Sequence, residues 1–173
     1  MMRRKTLVIA LAVLFVLSGG YVFAQKWSAE TMKKIEELKS MAGAKKEMAK
    51  SMPGVTEIKA EELKSWLDQG KKFVLLDDRT KSDYEKEHIP GALRLAPDDL
   101  EPDAKAAEKL GLKKDDIIVN YCNGIRCWRS PGTIVFLSEL GYKNLYWYRE
   151  GIPDWIKKGY DTVEGKEVGT WKK

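Results

Sequence analysis

The chain has 173 residues, of which 43% are hydrophobic and 33% charged, and its formal net charge is +5. This length and apolar content are enough for one compact domain and not for two. Lysine and glutamate are mixed along the chain, and no basic stripe with interleaved aromatic residues occurs. The composition therefore argues against a nucleic-acid-binding surface.

The first 24 residues have the pattern of a secretory signal peptide. An Arg-Arg-Lys start precedes an apolar run over 7–17, a Ser-Gly-Gly break and a small-residue exit at Ala24. The alternative is an uncleaved membrane anchor, because residues 7–24 reach the lower length limit for a membrane span. We expect export to the periplasm, or an anchored form that faces the periplasm and touches the membrane only through this segment.

Residues 25–53 are predicted to form an N-terminal helical extension. Within 27–50, Met32, Ile35, Leu38 and Met41 recur at three-residue steps, which is typical of a helix with a thin apolar stripe. A spacer helix lying against the domain is favoured over a methionine-lined metal site, because no companion ligands are nearby. The Met-Pro-Gly stretch at 52–54 marks the predicted domain boundary.

Residues 54–163 alternate between strand and helix patterns. Predicted strands cover 55–58, 72–77, 92–95, 115–122 and 144–148, and predicted helices cover 60–70, 81–87, 99–111, 130–141 and 152–159. Strands separated by helices predict an α/β domain with a mostly parallel sheet covered on both faces. Ser130 is the predicted N-cap of its helix. The tail, residues 164–173, is expected to be loosely held.

The loop after the central predicted strand contains both cysteines and reads Cys-Asn-Gly-Ile-Arg-Cys-Trp-Arg, from Cys122 to Arg129. In such sheets, ligands bind where a strand ends and the next helix begins, because backbone N–H groups there lack partners. These amides, Arg126 and Arg129 would stabilise a Cys122 thiolate and attract an anion. Gly124 permits a positive φ. The loop therefore predicts an anion cradle with Cys122 as the nucleophile at its floor.

Other roles for these residues stay open. An exported protein could tie Cys122 to Cys127 in a structural disulfide, although closing so short a loop adds less stability than closing a long one. A zinc site is disfavoured because two thiols and a distant His88 are too few ligands. His88 lies in a Glu-His-Ile-Pro-Gly-Ala stretch, where a turn-stabilising role is favoured over base chemistry.

The domain resembles the rhodanese (sulfurtransferase) family. The matching stretches are Phe73–Arg79, Asp83–Leu95, Asp116–Gly124 and Leu137–Trp155, which occur in the family's order. The resemblance implies a rhodanese-like α/β fold, with Cys122 directly after the central strand in the position of the family's nucleophile. Within these stretches, Asp77, Arg79 and His88 are expected to be structural residues near the site.

The loop departs from the usual family pattern. Six residues separate Cys122 from Arg129, which is longer than the family's usual interval between the cysteine and the arginine. The loop resembles a subgroup of exported rhodanese-like proteins in which Cys-Asn-Gly is followed by two residues and Cys-Trp. The resemblance therefore implies that Cys127 belongs to the functional loop. Glu150-Gly151 also replaces a glycine pair, which bears on the rim of the pocket.

The resemblance implies a sulfurtransferase reaction. The Cys122 thiolate attacks the outer sulfur of thiosulfate or a persulfide, holds it as a cysteine persulfide, and passes it to a thiol or other nucleophile. The residues expected to surround the substrate are Asn123, Gly124, Ile125, Arg126, Cys127, Trp128 and Arg129. No metal or organic cofactor is expected. A periplasmic reductant is an expected partner, because oxidation threatens both thiols.

Three roles are open for Cys127 and two further functions for the protein. Cys127 could be a resolving thiol, a redox partner that protects Cys122, or the nucleophile itself. A phosphatase or arsenate reductase would use the cradle for a tetrahedral oxyanion, although the loop lacks the hydroxyl-rich filling of those relatives. A non-catalytic binding module would keep the fold, tie the cysteines, and present the loop or the N-terminal helix to a partner.

Overall fold

A computed structural model describes residues 27–172 of the chain. The predicted signal peptide, residues 1–24, lies outside these residues. Within 27–172, no helix is both long and apolar enough to cross a membrane.

Five strands form a single parallel sheet. They are β1 (Thr56–Glu57), β2 (Val74–Asp77), β3 (Ala92–Arg94), β4 (Ile117–Tyr121) and β5 (Asn144–Tyr148). Their order across the sheet is β1-β5-β4-β2-β3, and every pair is parallel. The predicted parallel α/β architecture is therefore confirmed. Strand β4 lies at the centre, and Cys122 directly follows its carboxyl end.

Seven helices flank the sheet. They are α1 (Ala29–Gly43), α2 (Ala60–Gln69), α3 (Lys81–Lys86), α4 (Pro97–Leu100), α5 (Ala106–Lys109), α6 (Arg129–Glu139) and α7 (Gly151–Lys157). Successive residues of β4 belong to separate core clusters, Ile118 to one with α1 and α6, and Val119 to one with α2 and α7. Because successive strand side chains point to opposite faces, the helices bury both faces of the sheet.

The N-terminal helix is shorter than predicted. It ends at Gly43, and Lys45 then adopts a positive φ of 55°, which helical backbone cannot accommodate. The chain from 45 to 50 instead runs across the domain, where Arg149 donates to the carbonyl oxygens of Met48 (2.7 Å) and Ala49 (3.0 Å). The Met48 N–H donates to the Ile125 carbonyl at 2.8 Å, so this segment contacts the cysteine loop directly.

Two other predicted elements differ from the structure. The helix predicted over 99–111 is divided into α4 and α5, with Pro102 in the break, because proline cannot donate the hydrogen bond that a helix interior needs. Ser130 is not an N-cap, because α6 already begins at Arg129 and the Ser130 hydroxyl is engaged elsewhere.

The prediction of a loosely held tail is wrong. The Trp171 indole packs edge-on against Trp155 and donates to Asp68 at 2.9 Å. The Gly91 N–H donates to the Val168 carbonyl at 2.8 Å. The tail is held because it completes an aromatic cluster and takes up backbone hydrogen bonds from the loop before β3.

A buried ion pair joins the carboxyl end of β2 to that of β4. Asp77 is 0% and Arg79 4% exposed, and Arg79 donates to both carboxylate oxygens, with Nη2 to Oδ2 at 2.6 Å. The Tyr121 hydroxyl donates to the same carboxylate at 2.7 Å. Asp77 and Arg79 therefore have the structural role expected from the sequence.

We expect Arg79→Met to lower the free energy of unfolding by about 3–5 kcal/mol, because it leaves the Asp77 carboxylate buried without its cation. Urea denaturation measures the loss. The control is Lys81→Met, which removes the exposed Lys81–Glu85 pair and should cost less than about 1 kcal/mol. Equal losses in the two variants would contradict this account of the pair.

Candidate active site

The cysteine loop connects β4 to α6 and is held against the start of α7. Gly124 has a φ of 96°, and a Cβ there would lie 3.1 Å from the Glu150 carbonyl oxygen. A Cβ at Gly151 would collide with the Cys122 carbonyl, which accepts the Ile152 N–H at 3.1 Å. Both glycines are thus required by close backbone approach. Glu150 stands where many relatives have the first glycine of a pair. The close approach to the Cys122 carbonyl is kept, because it requires glycine only at position 151.

Cys122 is buried at the floor of the loop, with 1% of its surface exposed. Its Sγ lies 2.9 Å from the Ser130 hydroxyl, which accepts the Trp147 indole N–H at 2.9 Å. Burial raises the pKa of the Cys122 thiol well above its ordinary value, and hydrogen bonding to Cys127 and the charge of Cys127 raise it further. Cys122 is consequently a protonated thiol at neutral pH.

Cys127 is the ionised cysteine of the pair. It is partly exposed, and its pKa is lowered to about 7, first by the hydrogen bond from the Cys122 thiol. Burial opposes this shift, whereas the backbone N–H groups of Arg129, Asn123 and Ser130 support it. These amides act on the Cys127 sulfur, and the Ser130 amide also lowers the pKa of Cys122.

The raised pKa of Cys122 runs against the expectation of an ionised thiol at this position. The loop is long enough to fold back on itself, with the Cys127 N–H donating to the Gly124 carbonyl at 2.9 Å. This turn places Cys127 next to Cys122, whose sulfur lies 3.6 Å from the Cys127 carbonyl oxygen. The assignment of the nucleophile accordingly moves to Cys127 in the proposal below.

The two arginines do not have the role predicted for them. Arg126 is exposed, and the Arg129 guanidinium is ion-paired with Asp98. The lowered pKa of Cys127 comes chiefly from a thiol and backbone amides rather than from these guanidinium groups. The two guanidinium groups therefore do not converge on the cysteines as predicted: Arg126 is exposed, and the Arg129 guanidinium lies against Asp98.

The remaining predicted loop residues have structural contacts. The exposed Asn123 side chain donates to Asp83 at 3.2 Å, and the Ile125 carbonyl accepts from the 45–50 segment. The Trp128 ring packs on Gly132, where a Cβ would lie 3.0 Å from it, and Lys39 lies 5.4 Å from its centroid. Trp128 therefore covers the start of α6.

His88 is a structural residue, as predicted. Its Nδ1 lies 2.8 Å from the Tyr84 carbonyl oxygen and its Nε2 lies 3.0 Å from the Glu167 carbonyl oxygen. Both ring nitrogens are thus occupied by backbone groups outside the loop, and the ring ties the tail to α3.

Sequence reasoning missed Asp78, a buried carboxyl beside the site. It is 0% exposed, and neither carboxylate oxygen has a hydrogen-bond partner within residues 27–172. Burial raises its pKa well above the ordinary value, with further contributions from the charges of Asp77 and Cys127. The nearby Thr133 hydroxyl lowers the pKa of Asp78 in part. That hydroxyl donates its hydrogen bond to the Leu95 carbonyl oxygen, at 3.4 Å.

The signal for Asp78 was its position after a buried strand. Asp77 ends β2 and Asp78 follows it directly, and side chains alternate between the two sides of an extended chain. The two carboxyl groups therefore point in different directions, and only Asp77 is paired with Arg79.

The matched part of the chain identifies its family. Residues 59–158 match the model of the rhodanese-like domain, which covers more than half of the chain. The chain belongs to the rhodanese-like family. The match takes in β2 to β5 and the cysteine loop, so the resemblance inferred from the motifs is confirmed.

Relatives of the rhodanese-like domain have varied descriptions. The "HTH-type transcriptional regulator Rv0324" of Mycobacterium tuberculosis is 31% identical over 96 residues, 55% of this chain and 39% of that protein. The "Probable adenylyltransferase/sulfurtransferase MoeZ" of the same species is 32% identical over 98 residues, 56% of this chain and 24% of that protein. The chain thus spans less than half the length of these relatives.

A solved structure supports the fold across most of the chain. The polysulfide-sulfur transferase homodimer from Wolinella succinogenes has a TM-score of 0.53 at 17% identity, and the alignment covers 81% of this chain and 96% of that chain. At this identity the likeness shows a shared rhodanese fold and nothing more.

A cavity of about 390 Å³ lies between α1 and α6. No residue of the cysteine loop lines this cavity.

Alkylation should locate the thiolate. We expect iodoacetamide to modify Cys127 of the reduced protein first, with a rate that rises with pH through a midpoint near 7, because the thiolate is the reactive form. Cys122→Ala removes the hydrogen-bond donor and should move the midpoint up by about one pH unit or more, since a hydrogen bond to a charged group contributes roughly 1.5–3 kcal/mol.

Cys122→Ser is the matched control for alkylation, because its hydroxyl keeps a donor and should give a smaller displacement of the midpoint. An unchanged midpoint in the alanine variant, or faster alkylation of Cys122 than of Cys127 in the parent, would contradict the assignment of the thiolate. Peptide mass spectrometry distinguishes the two modified cysteines.

Asp78 should make stability fall as pH rises. The folded protein keeps a proton that the unfolded chain gives up above pH of about 4, so unfolding is favoured from about pH 4 up to the raised folded-state pKa. We expect Asp78→Asn to be more stable than the parent at pH 7. The difference should grow by at most about 1.4 kcal/mol per pH unit and vanish below about pH 4.

Urea denaturation at a series of pH values measures the Asp78 effect. Asp115→Asn, which changes an exposed aspartate, should show no such growing difference. A pH-independent difference between Asp78→Asn and the parent would mean that Asp78 has an ordinary pKa.

Proposed function

We propose that this protein is a sulfurtransferase that moves a sulfane sulfur from a persulfide or thiosulfate to a thiol, through a persulfide on Cys127. The observation that carries the proposal is a partly exposed thiolate in a ring of loop amides, on the catalytic loop of a rhodanese-like domain. Its kinship to a protein described as a sulfurtransferase gives further support.

Cys127 is favoured over Cys122 as the sulfur carrier because it is both ionised and accessible. The Cys127 thiolate attacks the outer sulfur of the donor, a new S–S bond forms, and the donor's own S–S bond breaks. The electron pair leaves with the donor's inner sulfur, as a thiolate or, with thiosulfate, leaves as sulfite. An acceptor thiolate then attacks the outer sulfur, and Cys127 leaves as the thiolate that the amides already stabilise.

Charge around the loop favours persulfides over thiosulfate as donors. Arg129 is compensated by Asp98, and Asp83 lies beside Asn123, so carboxylates surround the loop as well as guanidinium groups. Thiosulfate brings two negative charges to a site that already holds a thiolate. A persulfide group brings at most one to the reacting sulfur, and any other charges of the donor lie farther from the loop, so we expect it to load the protein faster.

Export to the periplasm, a thiol acceptor and a periplasmic reductant belong to the same proposal. The reductant follows from the chemistry, because neighbouring thiols outside the cytosol are readily oxidised to a disulfide and must be reduced before Cys127 can react.

Intact-protein mass spectrometry tests the reaction. After treatment with glutathione persulfide and removal of excess donor, Cys122→Ser should gain one sulfur atom, and Cys127→Ser should gain none. Addition of 2-mercaptoethanol should then return Cys122→Ser to its starting mass, because the thiol accepts the outer sulfur. Thiosulfate at the same concentration should load the protein more slowly.

Two outcomes would overturn parts of the proposed function. Gain of sulfur by Cys127→Ser but not by Cys122→Ser would place the persulfide on Cys122, as the sequence alone suggested. Absence of any sulfur gain in the fully reduced parent and in both variants would favour a binding module that has kept only the fold.

A further inference from the structure

Cys122 is a thiol without access to any external substrate. It is 1% exposed, and its sulfur is surrounded by the Ser130 hydroxyl, the Cys127 carbonyl oxygen at 3.6 Å and the Cys127 sulfur. Among these neighbours, only the Cys127 sulfur can undergo sulfur chemistry. The role of Cys122 in a reaction is therefore intramolecular.

We propose that Cys122 is a resolving thiol that attacks the Cys127 persulfide and releases its outer sulfur as sulfide. The site then has a second outlet for sulfur, which operates when no acceptor thiol is bound. This inference rests on the proposed function, because it requires that Cys127 first be loaded with sulfur.

The proposed step balances in atoms and electrons. A bond forms between the Sγ atoms of Cys122 and Cys127, and the bond between Cys127 Sγ and the outer sulfur breaks. The electron pair leaves on the outer sulfur, which takes the proton of the Cys122 thiol and departs as hydrosulfide. The sulfane sulfur is reduced to sulfide, and the two cysteines are oxidised to a disulfide. A dithiol must then reduce this disulfide before the next turnover.

The geometry before loading already suits this step. The Cys122 sulfur lies 3.6 Å from the carbonyl oxygen of Cys127, and both cysteines are free thiols. A disulfide needs its two Cβ atoms within about 4.5 Å, and the Cys122 sulfur already lies against the backbone of the residue with which it would pair. The turn closed by the Cys127 N–H and the Gly124 carbonyl holds the two residues in this arrangement.

Loading Cys127 makes Cys122 more acidic. In the unloaded site, the negative charge and the hydrogen bond of Cys127 both raise the pKa of Cys122. Burial is the largest cause of the raised pKa of Cys122, and loading leaves it in place. In the persulfide, the negative charge moves from the Cys127 Sγ to the outer sulfur, one bond farther away, so the contribution of that charge to the pKa of Cys122 is weakened.

Ser130 is positioned to support the attacking sulfur. Because the Trp147 indole N–H donates to the Ser130 oxygen, the hydroxyl hydrogen of Ser130 is free to point at Cys122 Sγ. This contact lowers the pKa of Cys122. The Trp147–Ser130 pair therefore stabilises the thiolate of Cys122 once the charge has moved from the Cys127 Sγ to the outer sulfur.

Sulfide release in the absence of acceptor tests the proposal. The parent and Cys122→Ser are fully reduced, loaded with glutathione persulfide under anaerobic conditions, desalted and incubated without thiol. A sulfide electrode should record up to one sulfide per loaded chain from the parent, whose mass should fall to that of the reduced protein less two hydrogen atoms. Cys122→Ser should release no sulfide and keep its added sulfur. Dithiothreitol should restore the parent for a second loading.

The controls separate this inference from the proposed function. Cys122→Ala provides a second variant that suits a buried apolar site, and it should also retain its sulfur. A loaded parent that keeps its sulfur as long as the two variants, or that releases sulfide without forming the disulfide, would overturn the resolving role while leaving the proposed function intact. Failure of the parent and both variants to take up sulfur would overturn both proposals.

Discussion

The chemistry of this protein depends on the coupled protonation of two neighbouring cysteines, Cys122 and Cys127. Cys122 is buried and keeps the proton, and its thiol is the largest cause of the lowered pKa of Cys127. Each cysteine determines the protonation state of the other, so neither can be understood alone. Backbone amides reinforce the bias toward Cys127, because they stabilise negative charge without bringing a positive charge of their own.

The fold maintains this arrangement from three sides. Cys122 directly follows the central strand β4. Because Gly151 has no Cβ, the start of α7 can approach the Cys122 carbonyl. On the helix side, the first turn of α6 supplies amides and the Ser130 hydroxyl. The segment 45–50, held by Arg149, reaches the loop through Ile125. The N-terminal extension is thus part of the structure that supports the loop.

The order of elements and the position of the loop could be predicted from the sequence. Periodicity separated strands from helices, and the end of a β-branched strand located Cys122. The protonation states could not be predicted in this way, because they depend on which sulfur the loop covers. An extended strand end suggested that Cys122 faces the ligand, whereas the extra loop length allows Cys127 to take that place.

Ser130 and Asp78 show a similar limit. A serine before proline at a helix start is a common capping signal, but here the helix begins one residue earlier and the hydroxyl serves a thiol. A second aspartate after a buried strand gives no sign of whether a partner will be found in three dimensions. Such conflicts between local pattern and final environment are concentrated at functional sites.

The distribution of charge also distinguishes between the reactions open to this fold. Asp78 has no hydrogen-bond partner among residues 27–172 and its pKa is raised, and the Arg129 guanidinium lies against Asp98. The loop is therefore suited to a single negative charge, on the Cys127 sulfur. Sulfur transfer moves one such charge from sulfur to sulfur. Phosphate or arsenate chemistry would bring a multiply charged oxyanion, which needs uncompensated cations around it. The Arg129 guanidinium lies against Asp98, so the cation expected to meet such a group is partly compensated, and this favours the proposed sulfur transfer over oxyanion chemistry.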